Sequence, residues 1–339
     1  MKTDNTLYII LTLIAILMTS NNNISAASYR ETTLKSSSDS LPLSVIVATP
    51  DNIESAVGIV QIVHGMCEHK ERYLPFIEFL NNNGYICIIH DHRGHGKSIL
   101  STDDLGYFYS GGYQAMIDDA YQVGSMIREQ YPNLPFFLFG HSMGSMVVRS
   151  YAKRYDNVLS GLIVCGSPSY NASSSIGAKI AASASRRYGD HYRSEKIERM
   201  AFGTFNKRFA DEGYSSAWVC SDPEVVRTYH ADPLCGYIFT ANGFENLFLL
   251  MGDAYRKKGW KLAHKDMPIW FISGTDDPCL GTEKKFHKAV KRMRTVGYTN
   301  VTAHLYPNMR HEILNERGKQ MVWVDVVNTL NHWCKDINK

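Results

Sequence analysis

Gly140-His141-Ser142-Met143-Gly144 is the segment of this chain best suited to covalent chemistry. It lies between the apolar run PFFLF and the helix-like segment MVVRSYAKRY, the strand–turn–helix setting in which a G-x-S-x-G motif positions a nucleophile. About one Ser in 200 would carry both glycines by chance at ordinary glycine content, so the setting supplies most of the specificity. A serine hydroxyl is a weak nucleophile until a base takes its proton. Of the thirteen histidines, His311 is best placed: it follows the strand-like VTAHLY by a short turn and precedes a helix-like stretch. His304 falls mid-strand, and His287 and His332 fall in helix patterns. A carboxylate must hold the imidazole. Strand-like PIWFIS runs into Gly274-Thr275-Asp276-Asp277-Pro278, which offers Asp276 or Asp277. The tetrahedral oxyanion needs two donors. Met143 N–H follows the nucleophile, and Met66 N–H lies in the loop His64-Gly65-Met66-Cys67-Glu68-His69 after the run GIVQIV.

These residues need a scaffold that brings several strand ends together. Strand-like runs at 43–47, 58–63, 85–90, 135–139, 161–165, 268–273 and 301–306 alternate with helix-like stretches at 72–82, 113–130, 143–155, 282–294 and 319–334. Several runs are continuously apolar (IVQIV, ICII, FFLF, LIV), as strands buried on both faces require. The alternation predicts an α/β fold, a mostly parallel sheet flanked by helices with function at the carboxyl ends of its strands. Residues 168–264 break the rhythm and read as a helical cap with a Ser/Ala-rich start, a basic stretch and many aromatics. The core is then 42–167 and 265–336.

With 339 residues, 44% hydrophobic, 20% charged and a net charge of +3, the composition is globular and calls for no polyelectrolyte partner, so nucleic-acid binding is not expected. Residues 7–18 form an apolar run too short to span a bilayer, followed by Ser25-Ala26-Ala27. This predicts an export signal over 1–27, cleaved or kept as an anchor, and hence a secreted or envelope-anchored protein. Residues 28–41 read as a flexible lead-in. The seven cysteines form no CxxC pair; a Cys220–Cys235 disulfide is one pairing the odd count leaves open.

Taken together, HGMCEH (64–69), DHRGHGKS (91–98), GHSMG (140–144), GTDDP (274–278) and RHEILNE (310–316) make the chain resemble the monoacylglycerol lipase and lysophospholipase-like (serine aminopeptidase S33-type) branch of the α/β-hydrolases, over roughly 42–336. The resemblance implies Ser142, Asp277 and His311 as a triad, Met66 and Met143 as oxyanion donors, a helical cap, no cofactor or metal, and an ester substrate with an apolar acyl chain. Met at the oxyanion position, Cys67 beside it and the export signal depart from the branch's usual pattern. A small-ester carboxylesterase or an S33-type aminopeptidase is the alternative; the latter needs cap acids such as Asp190, Glu195, Glu198, Asp211 or Glu212 to hold an amine. A non-catalytic binding protein would lack a triad member, and none is lacking. His90-x-His92-x-x-His95 has metal-like spacing, but Gly94 stands where such a motif carries an acid and Arg93 opposes a cation. Arg186, Arg187, Arg193, Lys196 and Arg199 read as a solvated helix face, with docking on an anionic lipid surface as the alternative.

Overall fold

The computed structural model describes residues 29–337. Eight strands form one sheet in the order β1-β2-β4-β3-β5-β6-β7-β8. Strands β3 (Gly58–Val63), β4 (Tyr85–His90), β5 (Phe136–His141), β6 (Gly161–Cys165), β7 (Ile269–Gly274) and β8 (Val301–Tyr306) run parallel. β2 (Pro42–Ala48) is antiparallel both to β4 and to β1 (Tyr29–Lys35).

Every residue of β3 to β7 is buried, which accounts for their unbroken apolar runs. Side chains alternate between two cores, so a one-residue slip would exchange the faces. Ile59 and Val63 face the layer built by α2 (Gly112–Gln130), α3 (Met143–Tyr155) and α8 (Glu283–Val296); Val60 and Ile62 face α1 (Leu74–Asn82) and α9 (Lys319–Ile337). A fully buried Ile or Phe here contributes about 1.5–3 kcal/mol, enough for these strands to dominate the fold. The result is the doubly wound α/β architecture that the alternation predicts.

Residues 29–35 depart from the flexible lead-in read from their composition. They form the edge strand β1, paired with β2 along its whole length from Tyr29↔Ala48 to Lys35↔Pro42. Its residues are exposed or half-buried, so backbone pairing rather than apolar burial holds it. The expected export signal at 1–27 lies outside the described residues. Among those residues, no helix is long and apolar enough to cross a membrane.

Between β6 and β7 the chain forms α4 (Ser174–Tyr188), α5 (Glu195–Phe202), α6 (Pro223–Ala231) and α7 (Ala241–Tyr255), joined by short 3-10 turns. Ser194, Asp222 and Thr240 cap α5, α6 and α7 by accepting first-turn N–H groups. All seven cysteines are buried free thiols, so the Cys220–Cys235 pairing is not formed.

Candidate active site

Four loops at the carboxyl ends of neighbouring strands build the site. β5 ends at His141, and Ser142 follows with φ 53° and ψ −118°, a left-handed backbone that L-residues adopt only under tight constraint. The constraint is visible at Gly144, where an added Cβ would collide with the carbonyl of Val63 at the end of β3. Ser142 N–H donates to Cys165 O at the end of β6 (2.9 Å), and Ser142 O accepts from the Ser145 hydroxyl (2.5 Å), fixing the turn from both sides. Met143 is the first residue of α3. Its N–H thus belongs to the unpaired donors that open any helix.

The loop after β7 carries Asp277, buried, at the head of a short 3-10 turn over Pro278–Leu280. Its carboxylate accepts from Cys279 N–H and the Ser273 hydroxyl, both at 2.8 Å, and stands 3.1 Å from His311 Nδ1 through each oxygen. Burial pushes this carboxyl up, but the His311 charge and hydrogen bond, helped by Ser273 and Cys279, hold it below the usual aspartate range. Asp276 turns the other way, in a two-bond ion pair with Arg208 of the cap (2.7 and 3.0 Å). Geometry thus separates the two carboxylates that the residues alone left open and between which the resemblance implied Asp277.

His311 follows β8 and is buried, its ring 5.0 Å from that of Trp218 in the cap and 4.8 Å from that of His141. Its Nε2 points to the far side from Asp277, 4.0 Å from Cys279 Sγ. Ser142 Oγ makes no hydrogen bond to it in this conformation among the described residues; such bonds commonly tighten only in the substrate complex. The loop after β3 comes close to the nucleophile: a Cβ on Gly65 would stand 3.0 Å from Ser142 Cβ. Half-buried Met66 follows in that loop. The five residues expected at the site therefore lie at the carboxyl-end edge of the sheet, four on strand-end loops and Met143 at the start of the helix that follows the elbow.

A buried charge network beneath the site was not foreseen from sequence. Glu68 accepts from Gly65 N–H (2.5 Å), Tyr73 OH (2.8 Å) and His141 Nδ1 (3.2 Å). His141 Nε2 lies 3.2 Å from His311 O, so an imidazolium at 141 ties the oxyanion loop to the histidine loop. Burial opposes that charge, and Glu68 overcomes the opposition, raising His141 above the usual histidine range. Arg72 clamps Glu68 at 2.7 Å and Glu312 at 2.8 and 2.6 Å. The only sequence hint was the charge density of EHKER beside the motif.

The histidines of the 90–95 segment form a packed structural cluster. His92 N–H donates to His64 Nε2 (3.0 Å), His92 Nε2 lies 3.1 Å from His64 O, and the two rings sit 4.3 Å apart. Burial drives His90 down to about 3 and His95 to about 4, so both stay neutral. Arg93 is fully buried and turned to Asp119 (2.9 Å) and Asp39 (2.8 Å). Among the described residues, the ligand sets that converge are His69–Asp232–Cys235 and Asp277–Cys279–His311; the 90–95 histidines form no such set.

Residues 54–318 match the family model described as Serine aminopeptidase, S33. The chain is 26% identical over 286 residues to the monoacylglycerol lipase of Mycolicibacterium smegmatis, covering 83% of this chain and 89% of the relative. Among solved structures, it is similar to a thermostable carboxyl esterase from Bacillus coagulans, at 27% identity and a TM-score of 0.83 over 91% of this chain and 99% of the other. It is also similar to a lipase in its open form, at 25% identity and a TM-score of 0.79 over 91% and 99%. With sheet order, elbow and family model in agreement, the chain belongs to the serine aminopeptidase S33 family, in the monoacylglycerol lipase-like branch of the α/β-hydrolases.

Proposed function

We propose that the protein hydrolyses carboxylic esters with an apolar acyl chain, of the monoacylglycerol or lysophospholipid kind, by acyl transfer through Ser142. The observation that carries this reading is the buried Asp277–His311 pair, 3.1 Å apart, facing the elbow on which Ser142 is strained. His311 Nε2 removes the Ser142 proton as Oγ attacks the ester carbonyl, and the N–H groups of Met66 and Met143 hold the oxyanion. The same imidazole returns the proton to the departing alcohol. It then deprotonates a water that releases the acid. Asp277 stays ionised throughout and fixes the Nδ1–H tautomer. Side chains and backbone alone carry this chemistry.

Substrate class rests on the cap and on the relatives. Phe202, Phe205 and Trp218 form an aromatic chain that ends against His311, an apolar wall suited to an acyl chain. An aminopeptidase would need a free, ionised cap carboxylate. Asp190, Glu195 and Asp211 are exposed, and Glu212 is paired with Arg310. Glu198 is half-buried and raised by burial to about 7. Exposed Ile176, Ile180 and Leu249, with Lys179, Arg186 and Arg187 on the same cap helix α4 as the two isoleucines, suit contact with an anionic lipid surface. The apolar run at 7–18 supports export to where such surfaces are met.

The test is turnover of p-nitrophenyl esters and monoacylglycerols of increasing acyl length, with Ser142→Ala beside the wild type. The expected result is a preference for medium or long chains and a loss of about three or more orders of magnitude in the variant. Short-chain preference would move the protein to the small-ester carboxylesterases. Cleavage of aminoacyl arylamides in place of esters would favour the aminopeptidase reading.

A further inference from the structure

Outside the triad, the described residues that converge as metal ligands are His69, Asp232 and Cys235, whose donor atoms all lie within 4.8 Å of one another. The three come from two parts of the chain far apart in sequence. His69 ends the loop that carries Met66, whereas Asp232 and Cys235 sit on the cap turn after α6. His69 Nε2 stands 2.8 Å from Asp232 Oδ2, and His69 Nδ1 stands 2.7 Å from Glu71 Oε2. A proton on each nitrogen would satisfy those two contacts. It would leave unexplained why the buried Cys235 sulfur, which makes no hydrogen bond among the described residues, converges on the same point.

We infer that His69, Asp232 and Cys235 form a binding site for a zinc-like divalent cation that staples the cap to the oxyanion loop. One imidazole, one carboxylate and one thiolate are the donors zinc accepts in tetrahedral sites, with a water in the fourth position. Glu71 supplies the carboxylate that orients a metal-bound histidine through its other nitrogen. Asp232 is preset as well, its second oxygen accepting from Leu234 N–H at 2.8 Å. Two cations stand close: Lys70 pairs with Asp91 and with the Glu71 oxygen that does not face His69, and Arg72 pairs with Glu68 and Glu312 while its charge also reaches Asp232 and Cys235. Binding displaces the Cys235 thiol proton and any proton on His69 Nε2 to solvent, leaving imidazole, carboxylate and thiolate on the ion. The cap turn already touches the loop here, through Gly236 N–H to Cys67 O (3.1 Å), Tyr229 OH to Cys67 O (3.1 Å) and Cys67 Sγ to Tyr237 O (2.9 Å). A metal would add a coordinate link to a contact that these hydrogen bonds and the packing around Cys67 now hold, beside Met66.

The test is titration of the chelator-treated full-length protein with Co2+ and then Zn2+. The expected result is one equivalent bound, a thiolate-to-cobalt charge-transfer band displaced by Zn2+, and a thermal midpoint raised by Zn2+. Cys235→Ser removes the band and the midpoint shift, and Glu71→Gln weakens Zn2+ binding about 10–100-fold. Absence of the band in folded wild-type protein overturns the inference without recourse to any variant. So does a band that survives Cys235→Ser and disappears in Cys279→Ser, since the ion would then sit beside His311.

Discussion

Asp276 and Asp277 are adjacent in the chain and face opposite ways: Asp277 reaches His311 Nδ1 at 3.1 Å inside the core, and Asp276 reaches Arg208 of the cap at 2.7 Å near the surface. The same loop thus sets the imidazole with one carboxylate and fastens the cap with the other. Asp277→Asn removes the acceptor that fixes the tautomer and should lower turnover by about four orders of magnitude. Asp276→Asn breaks an ion pair whose arginine is largely exposed. Such pairs are worth about 0–1 kcal/mol, so it should leave turnover within a few-fold of wild type. Steady-state kinetics of the two variants decides the matter, and the opposite ranking would move the triad by one residue.

Arg93 carries a stability prediction. Its guanidinium is fully buried between Asp119 on α2 and Asp39 and Ser36 in the turn joining β1 to β2. Removing one partner from a buried pair strands a charge, at a cost of about 3–5 kcal/mol. Asp119→Ala should therefore lower unfolding free energy by that amount in urea titrations. A change under about 1 kcal/mol would mean that Asp39 alone suffices and that the 91–98 loop is held by other contacts.

Glu198 gives a pH dependence. Burial raises its carboxyl from 4.5 to about 7, and one of its oxygens is buried without a partner. The folded chain then holds a proton that the unfolded chain releases between those values, so stability falls as pH rises from about 4.5 to about 7 and levels off above. At about 1.4 kcal/mol per pH unit, the loss reaches up to about 3 kcal/mol. Glu198→Gln should abolish this slope and be the more stable protein at pH 8. Parallel pH profiles of wild type and variant would contradict it.

What the sequence carries and what it hides follow from where the forces lie. Inner strands such as 58–63 and 136–141 are buried on both faces, so their apolar runs announce them. The elbow is legible because its glycines and its strand–helix junction are local. β1 escapes because YRETTLK is an edge strand held by backbone pairing with the next strand, its side chains exposed or half-buried, which leaves no apolar period to read. Glu68 escapes for a related reason. Its partners Gly65 and Tyr73 are near in sequence, but His141 lies 73 residues away, and only folding brings them together. Between Asp276 and Asp277 the residues alone do not decide; the resemblance implies Asp277, and the physical reason, the cap's hold on Asp276 through Arg208, is visible only in the fold.

The measurement closest to the central claim is covalent labelling of the purified protein by a fluorophosphonate, which reacts with a serine only when a base activates it. The account predicts one label per chain, located at Ser142, absent in Ser142→Ala and slowed in Asp277→Asn, with all three proteins equally folded by circular dichroism. Folded wild-type protein that takes no label, or label that persists in Ser142→Ala, would contradict the assignment of Ser142 as the nucleophile.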